Sequence, residues 1–256
     1  DIALMRVIPG MQVFVPCDEM QTKAVIAHVA AVKGPCYVRL GRSKAADVYA
    51  PDTVFDFTKI QIVRKGRDAV LFACGIQVQA ALEAAEKLAA EGIELQVVDV
   101  CAIKPCDVAG IQAVLEKFEH VFTAEEHSVI GGLGGLIAET ASQVCPRRIV
   151  RIGMQDCYAE SGAADALLKK YGLDGEGVYQ IPRDHYKTVL KLYLTPRQEA
   201  VRTLNRSGGV PSFKDWEHVQ AFFRDSGLKM SDIEPSMLTY TEVQTHTIHD
   251  TLSENS

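Results

Sequence analysis

The sequence predicts an α/β fold with a mainly parallel sheet, because strand-like and helix-like segments alternate along residues 67–182. This order is typical of parallel strands joined by right-handed helical crossovers. A second observation is the nearly continuous apolar run from Leu95 to Val100, as in a strand covered on both faces. A third is a single strand–helix–strand unit in residues 1–45, which is too small to enclose a core. We therefore predict a partial domain followed by a complete one.

The partial domain contains one predicted βαβ unit. Met11–Pro16 forms a short apolar strand, Asp18 caps a helix, and Cys36–Leu40 forms the second strand. We expect the missing strands to lie on an absent N-terminal part or on a partner. The first residue is Asp1 rather than Met, which we interpret as a truncation or processing point inside a domain.

Residues 46–66 are predicted to be a linker that crosses to the complete domain at 67–182. The predicted strands of that domain are 68–73, 94–101, 120–124 and 147–152, and its predicted helices are 74–91, 107–118, 132–143 and 163–171.

The C-terminal extension, residues 183–256, has a different character. Phe213, Trp216 and Phe223 lie on one face of a predicted helix, whereas the chain beyond Pro235 is polar and without periodicity. We expect a tail that is helical and then disordered, with the Trp216 helix covering an exposed face.

Composition and charge disfavour several classes of protein. The 256 residues are 47% hydrophobic and carry a formal charge of −6, so we expect a globular protein that does not bind nucleic acid. No apolar run approaches the roughly 18–20 residues that span a bilayer, so no membrane partner is predicted. The seven cysteines include no C-x-x-C pair, which favours a reducing cytoplasm over a disulfide scaffold.

A glycine cluster, Gly131, Gly132, Gly134 and Gly135, follows the run Glu125-Glu126-His127. It does not match a dinucleotide fingerprint, because Ile137 stands where the third glycine is required. We expect a helix start that needs close backbone packing and positive φ. The carboxylates of Glu125 and Glu126 should point to opposite faces of a strand, which favours a structural or interface role over chemistry.

Two other candidate sites are not predicted to be functional. His246 and His249 have the spacing of metal ligands but no third ligand nearby, so we predict no zinc site. Cys157 has no neighbouring base and is interpreted as a packed thiol. We therefore predict no metal-binding residue in this chain.

Several motifs, in the correct order over about residues 1–180, resemble the transketolase family. They are Asp1–Met11, Val15-Pro16-Cys17-Asp18, Gly34-Pro35, Arg39-Leu40-Gly41-Arg42, Ala102–Pro105, Glu125–His127 with its glycines, and Glu160-Ser161-Gly162 followed by Leu167–Leu173. The pattern most resembles the C-terminal subunit of split transketolases. The resemblance implies that residues 1–45 are a remnant of the pyrimidine-binding domain and that residues 67–182 are a transketolase C-terminal domain.

The resemblance also implies an activity. Family members use thiamine diphosphate and a divalent metal, Mg²⁺, to transfer a two-carbon ketol unit between sugar phosphates in the pentose phosphate pathway. It implies a partner subunit with the diphosphate-binding domain, in a homo- or hetero-oligomer whose cofactor lies between chains. The family's activating glutamate and channel residues precede Asp1. We therefore expect no catalytic or cofactor-binding residue here, and no activity from this chain alone.

One family residue carries over to this chain. Arg42 matches the substrate-phosphate arginine that follows the last strand of the pyrimidine-binding domain. A guanidinium there can bind a phosphate through two parallel hydrogen bonds. The alternative is a surface ion pair. Arg39 lies on the opposite face of its strand and is interpreted as structural.

Three alternative functions remain open. Deoxyxylulose-phosphate synthase has the same domain order, but its glycine turn usually follows Glu-Glu-Asn, so His127 favours transketolase. The β subunit of 2-oxoacid dehydrogenases differs more in its glycine turn. A non-catalytic interaction module is consistent with the missing glutamate and the unmatched tail.

Overall fold

Two separate sheets form within residues 1–41 and 45–186, which are the residues that the computed structural model describes. Residues Asp1–Asp184 make one unit. Arg42, the Trp216 helix, and the pair His246 and His249 lie outside the described residues, as does most of the extension. No helix of the described ranges is long and apolar enough to cross a membrane.

The elements alternate largely as the sequence predicts. In chain order they are α1 (Ile2–Val7), β1 (Gln12–Phe14), α2 (Glu19–Ala31), β2 (Cys36–Val38), β3 (Gln61–Arg64), β4 (Ala69–Ala73), α3 (Gln77–Ala90), β5 (Leu95–Asp99), β6 (Ala102–Lys104), α4 (Val108–Leu115), β7 (His120–Ser128), α5 (Leu133–Val144), β8 (Ile149–Met154) and α6 (Ala164–Lys170). Residues 175–186 are also helical.

The larger sheet has five strands in the order β3-β5-β4-β7-β8. Strands β5, β4, β7 and β8 are parallel, and β3 pairs antiparallel with β5 at one edge. Every residue of β4 and β5 is buried, as expected for strands covered on both faces. The prediction of a mainly parallel α/β sheet is therefore confirmed. Strand β3 was not predicted, because it is only four residues long and its Ile62 is 48% exposed.

The smaller sheet has the order β2-β1-β6 and corrects the expectation about the βαβ unit. Strand β2 is parallel to β1, as predicted, but the other edge of β1 pairs antiparallel with β6, which follows β5 in the same chain. The backbone N–H of Val15 donates to Cys101 O at 2.8 Å and extends this contact. At this edge the missing neighbour is thus neither absent nor on a partner. Strand β6 has only three residues, too few to give a period in the sequence.

The first region, which contains α1 to β2, and the second region, which contains β3 to α6, also share apolar packing. Ile2, Val13 and Val15 of the first region belong to one buried cluster with Val70 and Phe72 of β4. Because these side chains are packed together, the first region does not need to enclose a core of its own.

Helix α2 begins as predicted, with an Asp18 carboxylate oxygen accepting from Gln21 N at 2.8 Å. The apolar residues of this helix are buried to different degrees. Val25 is fully buried, whereas Ala27 and Ala31 are exposed.

Helix α1 was not predicted. Lys104 closes its C-terminal end by donating from Nζ to Arg6 O at 2.8 Å and to Ile8 O at 2.7 Å. These bonds satisfy carbonyls that a helix end otherwise leaves without partners.

Candidate functional site

A buried carboxylate joins the two regions at the end of β5. Asp99 is fully buried, and its Oδ2 accepts hydrogen bonds from Gln21 Nε2 at 2.5 Å and from the Tyr49 hydroxyl at 2.7 Å. The Cys17 thiol donates to the same oxygen over 3.9 Å. Burial raises the pKa of Asp99 to about 6, although the three donors oppose the rise. Asp99 is therefore the point at which β5, the start of α2 and the linker are held together.

A second buried carboxylate, Asp18, holds the chain that follows β2. Its Oδ2 accepts from Val48 N at 2.9 Å and from Tyr49 N at 2.8 Å, while its other oxygen caps α2. Gln79 of α3 donates from Nε2 to Ala46 O at 2.9 Å and to Cys17 O at 2.7 Å. The segment from Ala46 to Tyr49 is thus fixed to both regions by side chains. The sequence predicted this stretch only as a linker.

The predicted phosphate ligand Arg42 follows Gly41 and precedes the segment from Ala46 to Tyr49 in the sequence. It lies outside the described residues, so its role stays a prediction. On its N-terminal side, Gly41 packs against the start of α3, because a Cβ added at Gly41 would lie 3.1 Å from Ile76 Cγ2. On its C-terminal side, Ala46 is bonded to α3 through Gln79. The described chain on both sides of Arg42 therefore contacts the same helix.

A cavity of about 430 Å³ opens beside Ala45 and Ala46, between α3, α6 and the turn at 173–175. Its charged lining consists of the carboxylates Glu83, Asp165 and Asp174 and the ammonium of Lys169. Three negative groups against one positive group disfavour a phosphate. We do not assign the substrate phosphate to this cavity.

Arg39 is paired with carboxylates, as expected of a structural arginine. Its Nη1 lies 3.2 Å from Glu126 Oε2, its Nη2 donates to Glu126 O at 2.8 Å, and its Nε lies 3.1 Å from Asp1 Oδ2. With its guanidinium occupied in this way, Arg39 is not a free cation for a substrate phosphate.

The glycine cluster is a helix start held by a carboxylate. Glu125 is fully buried, and its two oxygens accept from Leu133 N at 2.6 Å and Gly134 N at 2.8 Å, at the first turn of α5. Gly131 has φ of +76°, and a Cβ added at Gly132 would stand 1.9 Å from Glu125 Oε2. The predicted close packing and positive φ are confirmed. The sequence did not predict that Glu125 caps this helix.

Burial shifts the pKa values of Glu125 and His127. It raises the pKa of Glu125 to about 7, against the lowering effect of the two backbone donors. It lowers the pKa of His127, whose Nδ1 lies 2.7 Å from Ser128 O and 3.7 Å from Glu125 Oε2. Because both oxygens of Glu125 already accept backbone hydrogen bonds, we interpret this carboxylate as structural rather than as an acid–base group.

All seven cysteines are free thiols. Burial raises the pKa of Cys17, Cys74 and Cys101, so these thiols stay protonated at neutral pH. Cys157 corrects a prediction: it is exposed rather than packed, because it lies in the loop beyond β8.

The described residues do not supply a Mg²⁺ site by themselves. In residues 1–41 and 45–186, no group of three or more His, Cys, Asp or Glu side chains could hold a metal ion. The buried carboxylates Asp99 and Glu125 already accept hydrogen bonds from protein donors. We therefore derive no chemical step through the cofactor from this part of the chain.

Two family models match the chain in succession. The transketolase pyrimidine binding domain matches residues 1–47, and the transketolase C-terminal domain matches residues 58–178. A putative transketolase C-terminal section of Methanocaldococcus jannaschii is 42% identical over 181 residues, covering 70% of this chain and 56% of that protein. A 6-deoxy-6-sulfo-D-fructose transketolase subunit of Clostridium sp. is 39% identical over 178 residues, covering 70% and 55%.

A solved structure is also similar. It is described as a split gene transketolase, inactive beta4 tetramer, and it matches with a TM-score of 0.65 and 43% identity over 70% of this chain and 58% of that chain. The chain thus spans a little over half the length of the relatives it matches.

Proposed function

Because this chain belongs to the transketolase family, we propose that it forms part of an enzyme that transfers a two-carbon ketol unit between sugar phosphates. The observation that carries the proposal is the succession of two family segments, pyrimidine-binding and then C-terminal, together with the similarity to a split-gene transketolase. Thiamine diphosphate, when bound in the assembly with Mg²⁺, would supply the electron sink for the carbon–carbon chemistry.

We assign this chain a binding role within that assembly. Arg42 would bind the substrate phosphate, since a guanidinium matches the geometry of two phosphate oxygens. The observation that supports this assignment is indirect: the neighbouring Arg39 is paired with Asp1 and Glu126, which leaves the phosphate role to Arg42 in the Arg39–Arg42 motif.

We further propose that the active assembly contains a subunit with the diphosphate-binding domain, and that copies of this chain also associate. Support comes from the relatives: one is named as a subunit and another as a beta4 tetramer. The free cysteines support a reducing, cytoplasmic location.

A ketol-transfer assay tests the proposal. The diphosphate-binding subunit is combined with this chain, or with a version extended at its N-terminus to the length of the relatives. We expect activity only with the extended version, because the family's activating glutamate and channel residues would lie in the added segment. If the extended version transfers no ketol unit between sugar phosphates but condenses pyruvate with a phosphorylated aldehyde sugar and releases CO₂, the assignment moves to deoxyxylulose-phosphate synthase. If it shows neither activity, the interaction-module alternative is favoured.

The role of Arg42 is tested in the active assembly. Arg42→Ala should raise KM for phosphorylated sugars at least about tenfold, the loss of a charge-assisted pair, and change KM for unphosphorylated sugars much less. The matched control is Arg67→Ala, since Arg67 is 79% exposed and lies 3.8 Å from its nearest partner, Asp68. Equal effects on both kinds of sugar would refute phosphate binding by Arg42.

A further inference from the structure

The cavity between α3 and α6 is a feature of the second region. Apart from Ala45 and Ala46, its lining residues belong to α3 with its N-cap Ile76, to α6 and to the turn at 173–175. All of these residues are described by the structure. The volume of about 430 Å³ is within the range of sites that hold small organic molecules.

The charged groups that line this cavity are mostly negative. They are the carboxylates of Glu83, Asp165 and Asp174 and the ammonium of Lys169. Glu83 lies against the turn, because a Cβ added at Gly175 would clash with its carboxylate. Among the described residues, neither Glu83 nor Asp165 has an ion-pair partner. The cavity therefore carries an excess of negative charge that its own lining does not balance.

A buried amide adds an unused acceptor to the cavity wall. Gln77 is 0% exposed, lines the cavity and donates from Nε2 to Leu173 O at 2.9 Å. Exchanging the amide oxygen and nitrogen would bring two oxygens together, so the orientation is fixed. Within residues 1–41 and 45–186, Oε1 of Gln77 has no hydrogen-bond partner. Such an acceptor is unfavourable by itself, and a positive charge in the cavity would offset that cost.

The uncharged part of the lining is largely apolar. It includes Ile76 and Ala80 on the α3 side and Leu168 and Leu173 on the other side. A hydrocarbon chain gains free energy with each CH₂ group that it buries on such a floor, whereas a metal ion does not. No group of three or more His, Cys, Asp or Glu side chains in the described ranges could hold a metal ion. The lining thus fits a cation with a hydrocarbon body.

We propose that this cavity binds an aliphatic amine, with its hydrocarbon chain on the apolar floor and its ammonium groups beside Glu83, Asp165 and Asp174. The excess of carboxylates attracts ammonium groups for the same reason that it disfavours a phosphate. The proposal is independent of ketol transfer and of the role of Arg42, so it stands or falls without an activity assay.

Calorimetric titration of the full chain tests the proposal. The probe is a linear diaminobutane with an amine at each end, and we expect a Kd of about 0.1–1 mM. The matching butanediol has the chain without the charges, and Mg²⁺ has the charge without the chain. Both should bind at least about tenfold more weakly. Absence of diamine binding up to about 10 mM, or equal binding of the diol or of Mg²⁺, would overturn the proposal.

Two substitutions change the charge of the lining in opposite directions. Glu83→Gln should weaken diamine binding about 3- to 10-fold, and Lys169→Gln should strengthen it by a similar factor. The matched controls are Glu86→Gln and Lys170→Gln, which change the net charge equally at residues that do not line the cavity. All four side chains are exposed, so the fold should be retained in each variant.

The controls decide between the cavity and the overall charge of the protein. They should change the affinity less than about twofold, because water and salt screen charges outside the cavity. Opposite shifts in Glu83→Gln and Lys169→Gln with unchanged controls support the amine site. If the controls shift the affinity as much as the lining variants do, the diamine is held by overall charge and the proposal is wrong.

Discussion

The two sheets of the molecule are stabilised in different ways. In the five-stranded sheet, the central strands β4 and β5 are wholly buried and parallel to each other. In the three-stranded sheet, each strand has only three residues, and no residue of β2 is fully buried. The smaller sheet is held by a strand from the other region and by buried carboxylates at Asp18 and Asp99. Apolar burial is thus more extensive in the larger sheet, whereas the smaller sheet has fewer buried residues and additional polar contacts at Asp18 and Asp99.

This comparison predicts that the largest loss of stability follows a substitution in the core of the larger sheet. Leu71 is completely buried in β4, so Leu71→Ala should lower the free energy of unfolding by about 3–5 kcal/mol. Val25→Ala, also completely buried but in α2 of the smaller region, should cost less, about 1–3 kcal/mol. Urea denaturation measures both values. A greater cost for Val25→Ala would break the comparison.

Glu125 is the place where the larger region also depends on a polar contact. Glu125→Ala removes the acceptor of two buried N–H groups and should cost about 2–4 kcal/mol. Glu125→Gln retains one acceptor oxygen and should cost less. Hydrogen exchange at Leu133 and Gly134 should accelerate most in the alanine variant; unchanged exchange at these amides would show that Glu125 does not hold the helix start.

The raised pKa of Asp99 predicts that the stability of the folded chain depends on pH. Its pKa is about 6 in the folded chain, above the usual carboxyl value near 4, so the folded state holds the proton more tightly than the unfolded state does. The contribution of Asp99 to the free energy of unfolding should therefore be full below about pH 4. It should be lost as the pH rises through about 6, a decrease on the order of 1–3 kcal/mol.

Asp99→Asn tests that dependence, because Asn does not titrate but keeps one acceptor oxygen. Urea denaturation at pH 5 and pH 7.5 should show a smaller difference in the variant than in the parent. Glu125 also titrates in this range, with its pKa near 7, and provides the remaining slope in both proteins. An identical slope in parent and variant would contradict the assignment to Asp99.

The smallest effect is expected at a surface ion pair. Lys23 and Glu19 lie 2.6 Å apart on α2, with side chains 64% and 60% exposed. Lys23→Ala should change the free energy of unfolding by less than about 0.5 kcal/mol, since water and salt screen exposed pairs. Thermal unfolding at low and high salt measures it. A larger loss would mean that the smaller region depends on surface charges as well as buried ones.

The sequence predicted the elements that carry a local pattern. Strands β4 and β5 follow from their apolar runs, and the start of α2 follows from Asp18 as a capping residue. Elements without such a pattern were missed: α1 has six residues and β6 has three, and each is stabilised by contacts distant in the sequence. Short segments of this kind take their structure from tertiary packing rather than from propensity.

The candidate site was harder to predict for a related reason. Asp99 lies within an apolar run, which predicts only a buried strand. Two of its hydrogen-bond donors, Gln21 and Tyr49, are 78 and 50 residues away in the sequence. The carboxylate of Glu125 likewise meets α5 only after the chain has turned at the glycines. Residue type and spacing indicated the family motif around Arg42, but not the side chains that hold its surroundings.

The antiparallel contact between β1 and β6 has a consequence for dissecting the protein. The family segments 1–47 and 58–178 are consecutive in the sequence, but cutting the chain between them would leave an unpaired strand edge on each piece. Bare edges of this kind recruit strands from other molecules, so either piece produced alone should tend to aggregate.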